Sequence, residues 1–218
     1  MKHEQVKKLT VLAMLCAVAF VIVALVRIPA VLFLNYEPKD VIIAFGGFLY
    51  GPVAALVISL VVSFLEFLTI SSTGWIGMVM NFLSSAAFAG TAALVYRKKH
   101  TLTGAVIGLV LGSLAMTVVM LVWNYALTPL YMDTPRADVA AMLVPVFLPF
   151  NLLKSGLNSA ITILLYRPLV QSLRRVGLFP QSNSVANPAR KGKLGVWLTA
   201  AVVLLGCIVW LLYLNGTI

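Results

Sequence analysis

Long apolar runs are the feature that most constrains how this 218-residue chain can fold. They occupy residues 9–26, 41–70, 75–96, 105–127, 139–166 and 194–214. A membrane-spanning helix needs about 20 apolar residues, so these runs are long enough to cross a bilayer. Only 10% of the residues are charged, against about 25% in a soluble domain. The pattern predicts a small all-α polytopic membrane protein and excludes a soluble enzyme or a nucleic-acid-binding domain.

The second run is too long for one straight helix. At helical rise, residues 41–70 would extend over ~45 Å, whereas the hydrocarbon core of a bilayer is ~30 Å thick. Gly51 and Pro52 lie inside this run, and proline lacks the N–H that an interior helical turn needs. We therefore predict two helices, a short one over 40–50 and a longer one over 52–68.

The basic residues indicate how the chain crosses the membrane. If the second run enters the bilayer and returns, 12 of the 16 basic residues fall on one side, which the positive-inside rule assigns to the cytoplasm. The other side receives Arg27, Lys39 and Arg136. We predict a six-helix bundle with a short second helix over 1–176 and a cytoplasmic N-terminus. A basic linker over 177–193 and an additional transmembrane helix within 194–218 follow it.

Polar side chains inside the apolar runs predict a ligand site. Asn151, Lys154 and Asn158 share one helix face. Lys154 either snorkels outward along its stem or faces an internal cavity, and the carboxamides beside it favour the cavity. Asn81 and Asn124 fall in the same outer half of the membrane by helical rise. Each amide alone is typical of an interhelical hydrogen bond, but together with the lysine they predict a polar-lined outer cavity.

Other positions leave alternatives open. The segment 27–39 mixes aromatic and charged residues and is either a lid over the cavity or an interfacial anchor. Glu66 is either an interfacial acid or a partner for Lys154. Tyr125 belongs either to an aromatic belt or to a surface that stacks on a planar ligand. Ala13 and Ala17 form a small-xxx-small pair, which permits close approach of another helix.

Several kinds of chemistry find no support in the sequence. The chain has no Walker-type glycine loop for nucleotide hydrolysis. His3 and His100 lie in basic clusters, far from any acid that could complete a catalytic or metal site, so no metal centre is expected. No acid–base pair lies at one membrane depth, which argues against an intramembrane enzyme. We expect neither catalysis nor a resident cofactor.

Four stretches resemble the riboflavin-specific S components of energy-coupling-factor (ECF) vitamin transporters. They are LNYEPKDVIIAFGGFLYGP (34–52), MNFLSSAAF (80–88), AMTVVMLVWNYALTPLY (115–131) and FLPFNLLKSGLNSAITILLYRPL (147–169). The resemblance implies a substrate-binding subunit of the bacterial plasma membrane whose transported ligand is riboflavin. It also implies three protein partners, namely a transmembrane coupling protein and two cytoplasmic ATPases.

The resemblance also assigns roles to residues. Asn124, Asn151 and Lys154 correspond to flavin-contacting positions of that family. The resemblance adds Asn81, Leu34, Tyr36 and Asp40 as further ligand-binding candidates. Tyr125 is a candidate for stacking on the ligand only because of its position near the outer boundary. The pair Ala13 and Ala17 corresponds to the surface that packs against the coupling protein.

Two other functions stay open at this point. The chain could serve another vitamin or flavin mononucleotide, whose phosphate would need external basic groups such as Arg27, Lys39 and Arg136. A non-transporting membrane scaffold or sensor would instead use the polar residues only to join helices.

Overall fold

A computed structural model describes residues 2–175, which are almost entirely helical. The predicted linker 177–193 and the additional helix at 194–214 lie outside the described residues. The helices are α1 (Lys2–Leu25), α2 (Lys39–Tyr50), α3 (Pro52–Thr69), α4 (Gly74–Ser85), α5 (Thr91–Lys98), α6 (Leu102–Met132), α7 (Arg136–Met142) and α8 (Leu148–Arg175). Single π-helical turns join α4 to α5 and α7 to α8. Counting each joined pair as one helix, the described part of the chain has the predicted six-helix arrangement.

Five helical segments are long and apolar enough to cross a membrane. They are Glu4–Leu25, Pro52–Thr69, Gly74–Lys98, Leu102–Met132 and Arg136–Ser172. The remaining helix, α2, is the predicted short one, since its 12 residues extend over only ~18 Å.

The break between α2 and α3 falls at Gly51 and Pro52, as the sequence predicts. Gly51 has φ 89° and ψ 178°, a backbone conformation that residues with a Cβ rarely adopt. Its N–H still bonds to the carbonyl of Gly47 at 2.8 Å. Pro52 then begins α3, where a missing N–H costs nothing because the first turn has no helical partner for it.

A small β-hairpin, which the sequence did not predict, joins α1 to α2. Strand β1 (Ile28–Val31) pairs antiparallel with β2 (Leu34–Tyr36), and Ile28 faces Tyr36. Leu32 occupies the tight turn with φ 54°, which is unusual for a residue other than glycine or asparagine. The hairpin is held by packing, because Leu34 joins a buried apolar cluster with Val139 and Phe147.

The hairpin marks one end of the bundle, called here the hairpin end. Helices α1, α3 and α6 finish there, and α2, α4 and α7 begin there. Arg27 ties the start of the hairpin to the end of α3 by donating to the carbonyl of Ile70 at 2.9 Å.

Aromatic side chains close the opposite end. Tyr96 and Tyr166 share a hydroxyl–hydroxyl hydrogen bond of 2.9 Å. The ring of Phe48 lies 4.4 Å from that of Tyr96, centroid to centroid. Nearby, α6 packs directly on α5, because a Cβ on Gly108 would lie 2.6 Å from the carbonyl oxygen of Ala92.

Candidate ligand-binding site at the hairpin end

A pocket lies at the hairpin end between the hairpin, α4, α6 and α8. Its empty volume is about 470 Å³, part of which is open to the outside. Apolar and polar side chains line it together: Arg27, Phe33, Leu34, Asn35, Glu37, Thr73, Met80, Asn81, Ser84, Met120, Asn124, Phe150, Asn151 and Lys154. Five of the residues that the sequence analysis proposed for ligand binding therefore line one space: Leu34, Asn81, Asn124, Asn151 and Lys154.

Two carboxamides of the pocket are oriented by their own helices. Asn124 Nδ2 donates to the carbonyl of Met120, and Asn151 Nδ2 donates to that of Phe147, each at 2.7 Å. The amide oxygen of Asn124 accepts from Thr128 at 2.9 Å. An amide nitrogen carries two N–H groups, so each side chain keeps a donor for a ligand. Both carboxamides are buried and held in fixed directions.

Lys154 contributes a buried ammonium to the pocket. The residue is only 5% exposed and lines the cavity, so it does not snorkel. Within the described residues, its nitrogen has no carboxylate within 4.0 Å and no hydrogen-bond acceptor. A buried cation without a partner is costly. A ligand with a carbonyl oxygen or another acceptor would relieve that cost.

Two carboxylates beside the pocket are held by a network of ion pairs and hydrogen bonds. Lys39 Nζ lies 2.8 Å from Glu37 Oε2 and also binds Glu66 Oε1. Arg27 Nε lies 3.3 Å from the other oxygen of Glu37. Asn81 Nδ2 donates to the other oxygen of Glu66 at 2.9 Å. The network connects the hairpin to α2, α3 and α4.

This network corrects two of the sequence interpretations. Lys39 is not an exposed basic residue, since its side chain is completely buried between the two acids. Glu66 is 3% exposed and is held by Lys39 and Asn81, so it is neither an interfacial acid nor the partner of Lys154. The sequence could not assign these pairs because Lys39 and Glu66 are 27 residues apart.

Glu37 lies between the hairpin and α2, outside the five candidate spans. Burial alone would raise the pKa of its carboxyl, because it penalises the charged form. The nearby cations, Lys39 above all, outweigh burial and hold this pKa below its ordinary value. Glu37 is therefore charged at neutral pH and can hold Lys39 and Arg27 in place.

A second hydrogen-bond network extends from the hairpin into the core. The hydroxyl of Tyr36 donates to Asn158 Oδ1 at 3.1 Å. Asn158 Nδ2 donates in turn to Asp40 Oδ2 at 3.2 Å, and Ser85 Oγ donates to the other oxygen of Asp40. Tyr36 and Asp40 are not among the residues that line the pocket. Their contacts fix the hairpin and α2 against α8, so in this structure they support the site.

Comparison with known proteins decides the family. A family model described as "ECF transporter, substrate-specific component" matches residues 7–166. The chain belongs to this family. The family consists of transporter subunits of bacterial membranes, which confirms the resemblance, the polytopic all-α fold and the prediction that the chain is not an enzyme.

Similar proteins extend over most of this S component. The riboflavin transporter RibU of Staphylococcus aureus (strain TCH60) is 34% identical over 182 residues, which cover 79% of this chain and 95% of the relative. The riboflavin transporter FmnP of Bacillus subtilis (strain 168) is 28% identical, with 78% and 97% covered. A solved S component of a bacterial ECF transporter matches the fold with a TM-score of 0.68 at 33% identity. That match covers 78% of this chain and 99% of the solved one.

One sequence candidate, Tyr125, does not line the pocket of this S component, and one residue that was not a candidate, Ser84, does. Tyr125 is 45% exposed and is not among the lining residues; its ring lies 5.7 Å from the guanidinium of Arg136. Ser84, which the sequence analysis did not select, lines the pocket. Its buried hydroxyl has no partner among the described residues. The signal for Ser84 was its position one helical turn after Asn81.

The small residues of α1 lie on the surface of the S component. Ala13 and Ala17 are both exposed, and they lie one turn apart on the same face of the helix. A flat, apolar strip of this kind permits close approach of a helix from another protein.

Proposed function

We propose that this S component binds riboflavin at the hairpin end and serves as the capture subunit of an ECF-type vitamin transporter. One observation carries the proposal. Asn124, Asn151 and the unpaired Lys154 line one pocket in a chain that is 34% identical to a protein named as a riboflavin transporter.

The chemistry of the pocket fits a flavin. The pyrimidine edge of the riboflavin ring offers two carbonyl oxygens and an N–H, which carboxamides can satisfy as donors and acceptors. The ammonium of Lys154 would donate to one of the carbonyls in a charge-assisted hydrogen bond. Phe33, Met80, Met120 and Phe150 give the pocket apolar walls, which suit the flat ring system.

The same inventory favours riboflavin over flavin mononucleotide. A phosphate would need basic groups that are free to bind it. Arg27 and Lys39 are engaged by Glu37. Arg136 is not among the lining residues and lies over the ring of Tyr125. A pure scaffold is also disfavoured, because a lysine that served only to join helices would have a protein partner.

The proposal includes the membrane arrangement and the partners. The hairpin end faces outward and the N-terminus lies in the cytoplasm, in agreement with the positive-inside rule. Riboflavin is cargo, and the chain has no resident cofactor. A transmembrane coupling protein and two cytoplasmic ATPases supply the energy, which accords with the lack of a Walker loop in the sequence. Ala13 and Ala17 form part of the surface for the coupling protein, and lipid surrounds the remaining apolar faces.

A titration of the purified chain tests the proposal. Riboflavin fluorescence should be quenched on binding, and flavin mononucleotide should compete poorly with riboflavin for the site. Asn151→Ala should weaken binding about 10-fold or more, as expected when a buried polar contact is lost. Ser159→Ala is the matched control, because Ser159 lies on the same helix and bonds to Ser113 at 3.2 Å. A chain that leaves riboflavin fluorescence unchanged would refute the assignment.

A further inference from the structure

Four carboxylate oxygens lie beside the pocket, and each has a cation or an amide nitrogen next to it, by ion pairing alone in the case of Glu37 Oε2. The oxygens of Glu37 lie 3.3 Å from Arg27 Nε and 2.8 Å from Lys39 Nζ. Lys39 Nζ also binds one oxygen of Glu66, and Asn81 Nδ2 donates to the other at 2.9 Å. Lys39 is the only cation that bridges the two acids among the described residues.

Lys154 is the cation that this arrangement leaves over. It acts electrostatically on both Glu37 and Glu66, yet neither lies within 4.0 Å of its nitrogen. Arg27, Lys39 and Lys154 lie around Glu37 and Glu66, and a third acid, Asp40, also acts on Lys39, while Asn158 and Ser85 hold its two oxygens. Lys154 is the one of these three cations that has no carboxylate within 4.0 Å among the described residues, and its side chain lines the pocket.

We propose that Lys39 is a positioning residue for ligand binding. By holding Glu37 and Glu66, it prevents either acid from capturing Lys154 and so keeps that ammonium free for the ligand. Lys39 is completely buried and is not among the residues that line the pocket, so it acts through the ion pairs. This inference rests on the proposed function, because it takes riboflavin as the ligand.

Removing the charge of Lys39 leaves Glu66 without a cation. In a Lys39→Met variant, Glu37 keeps Arg27, whereas Glu66 keeps only the neutral amide of Asn81. A buried carboxylate without a cation is strongly unfavourable. Lys154 is the free cation nearby, and its pairing with Glu66 would take the ammonium away from the ligand. Riboflavin affinity should fall about 10- to 100-fold, the range for loss of a charged hydrogen bond.

A second substitution separates this role from simple packing. In Lys39→Met/Glu66→Gln the carboxylate that would pair with Lys154 is gone, Glu37 keeps Arg27, and Lys154 again has no carboxylate partner. Affinity should recover most of the loss measured for Lys39→Met. If Lys39 mattered only for packing, loss of a further buried partner would weaken binding more. Lys39→Gln, which keeps a donor without the charge, is measured alongside in case the methionine variant does not fold.

A measurement without riboflavin reports on Lys154 directly. Formaldehyde with a borane reductant methylates the neutral amine of lysine, and peptide mass spectrometry locates the product. An ammonium held by a carboxylate releases its proton less readily, so Lys154 should react more slowly in Lys39→Met than in the wild type. The rate should recover in Lys39→Met/Glu66→Gln.

The outcomes distinguish this inference from the proposed function. If the wild-type chain does not bind riboflavin, the proposed function fails and the methylation rates alone decide the role of Lys39. A folded, monodisperse Lys39→Met variant with wild-type affinity or a wild-type methylation rate at Lys154 overturns the inference. A double variant that is folded and as weak as the single one overturns it as well.

Discussion

The two ends of the bundle differ in what fills the space between the helices. At the opposite end, Phe48, Tyr96 and Tyr166 fill the space between the helices, and each polar hydroxyl of the tyrosine pair has a partner. At the hairpin end, polar groups surround an open space. Among the described residues, the hydroxyl of Ser84 has no hydrogen-bond partner and the ammonium of Lys154 has no carboxylate within 4.0 Å. One end is built for packing, whereas the other keeps hydrogen-bonding capacity for a ligand.

This contrast predicts its largest effect at Lys154. Replacement by methionine should weaken riboflavin binding about 10- to 100-fold, because a charged hydrogen bond to the ligand is lost. The melting temperature should hold or rise, since a buried unpaired charge is removed. Fluorescence titration and a thermal melt of the same sample measure both quantities.

The control for this prediction is Ser159→Ala, which should change neither quantity strongly. If Lys154→Met unfolded the protein while Ser159→Ala did not, Lys154 would be a structural residue. The contrast between the two ends would then be wrong.

A substitution near the end opposite the hairpin should lower stability without changing riboflavin affinity. In Gly108→Val the new Cβ would lie 2.6 Å from the carbonyl oxygen of Ala92, so α5 and α6 would have to separate. Overpacking of this kind costs about 1–3 kcal/mol. The melting temperature should fall, and the folded fraction should bind riboflavin with unchanged affinity. Equal loss of affinity and stability would show that the two ends are not independent.

The smallest effect is expected at the tyrosine pair. Tyr166→Phe removes one hydroxyl of the 2.9 Å bond to Tyr96 and should lower the free energy of unfolding by about 0.5–1.5 kcal/mol. Riboflavin affinity should not change, because the pair lies far from the pocket along the bundle. A clear drop in affinity in the titration would indicate that this end influences the site.

The sequence predicted those features that depend on local chemistry. The helix break at Gly51 and Pro52 follows from backbone conformation alone. The inward direction of Asn151 and Lys154 follows from their shared helix face. In both cases the information lies within a few residues of the chain, where composition and spacing express it.

Features that depend on distant partners could not be predicted. The burial of Lys39 becomes evident only when α2 and α3 bring it to Glu66, 27 residues away. The strands β1 and β2 have four and three residues, too few to show a clear alternation of apolar and polar positions. Their pairing depends instead on packing against α7 and α8.

The most direct test of the account is an experimental structure of the chain with riboflavin bound. The account predicts the flavin ring in the pocket at the hairpin end. Asn124, Asn151 and Lys154 should each lie within ~3.2 Å of a ring nitrogen or oxygen. A ring bound elsewhere, or a pocket in which these three side chains do not contact it, would contradict the account.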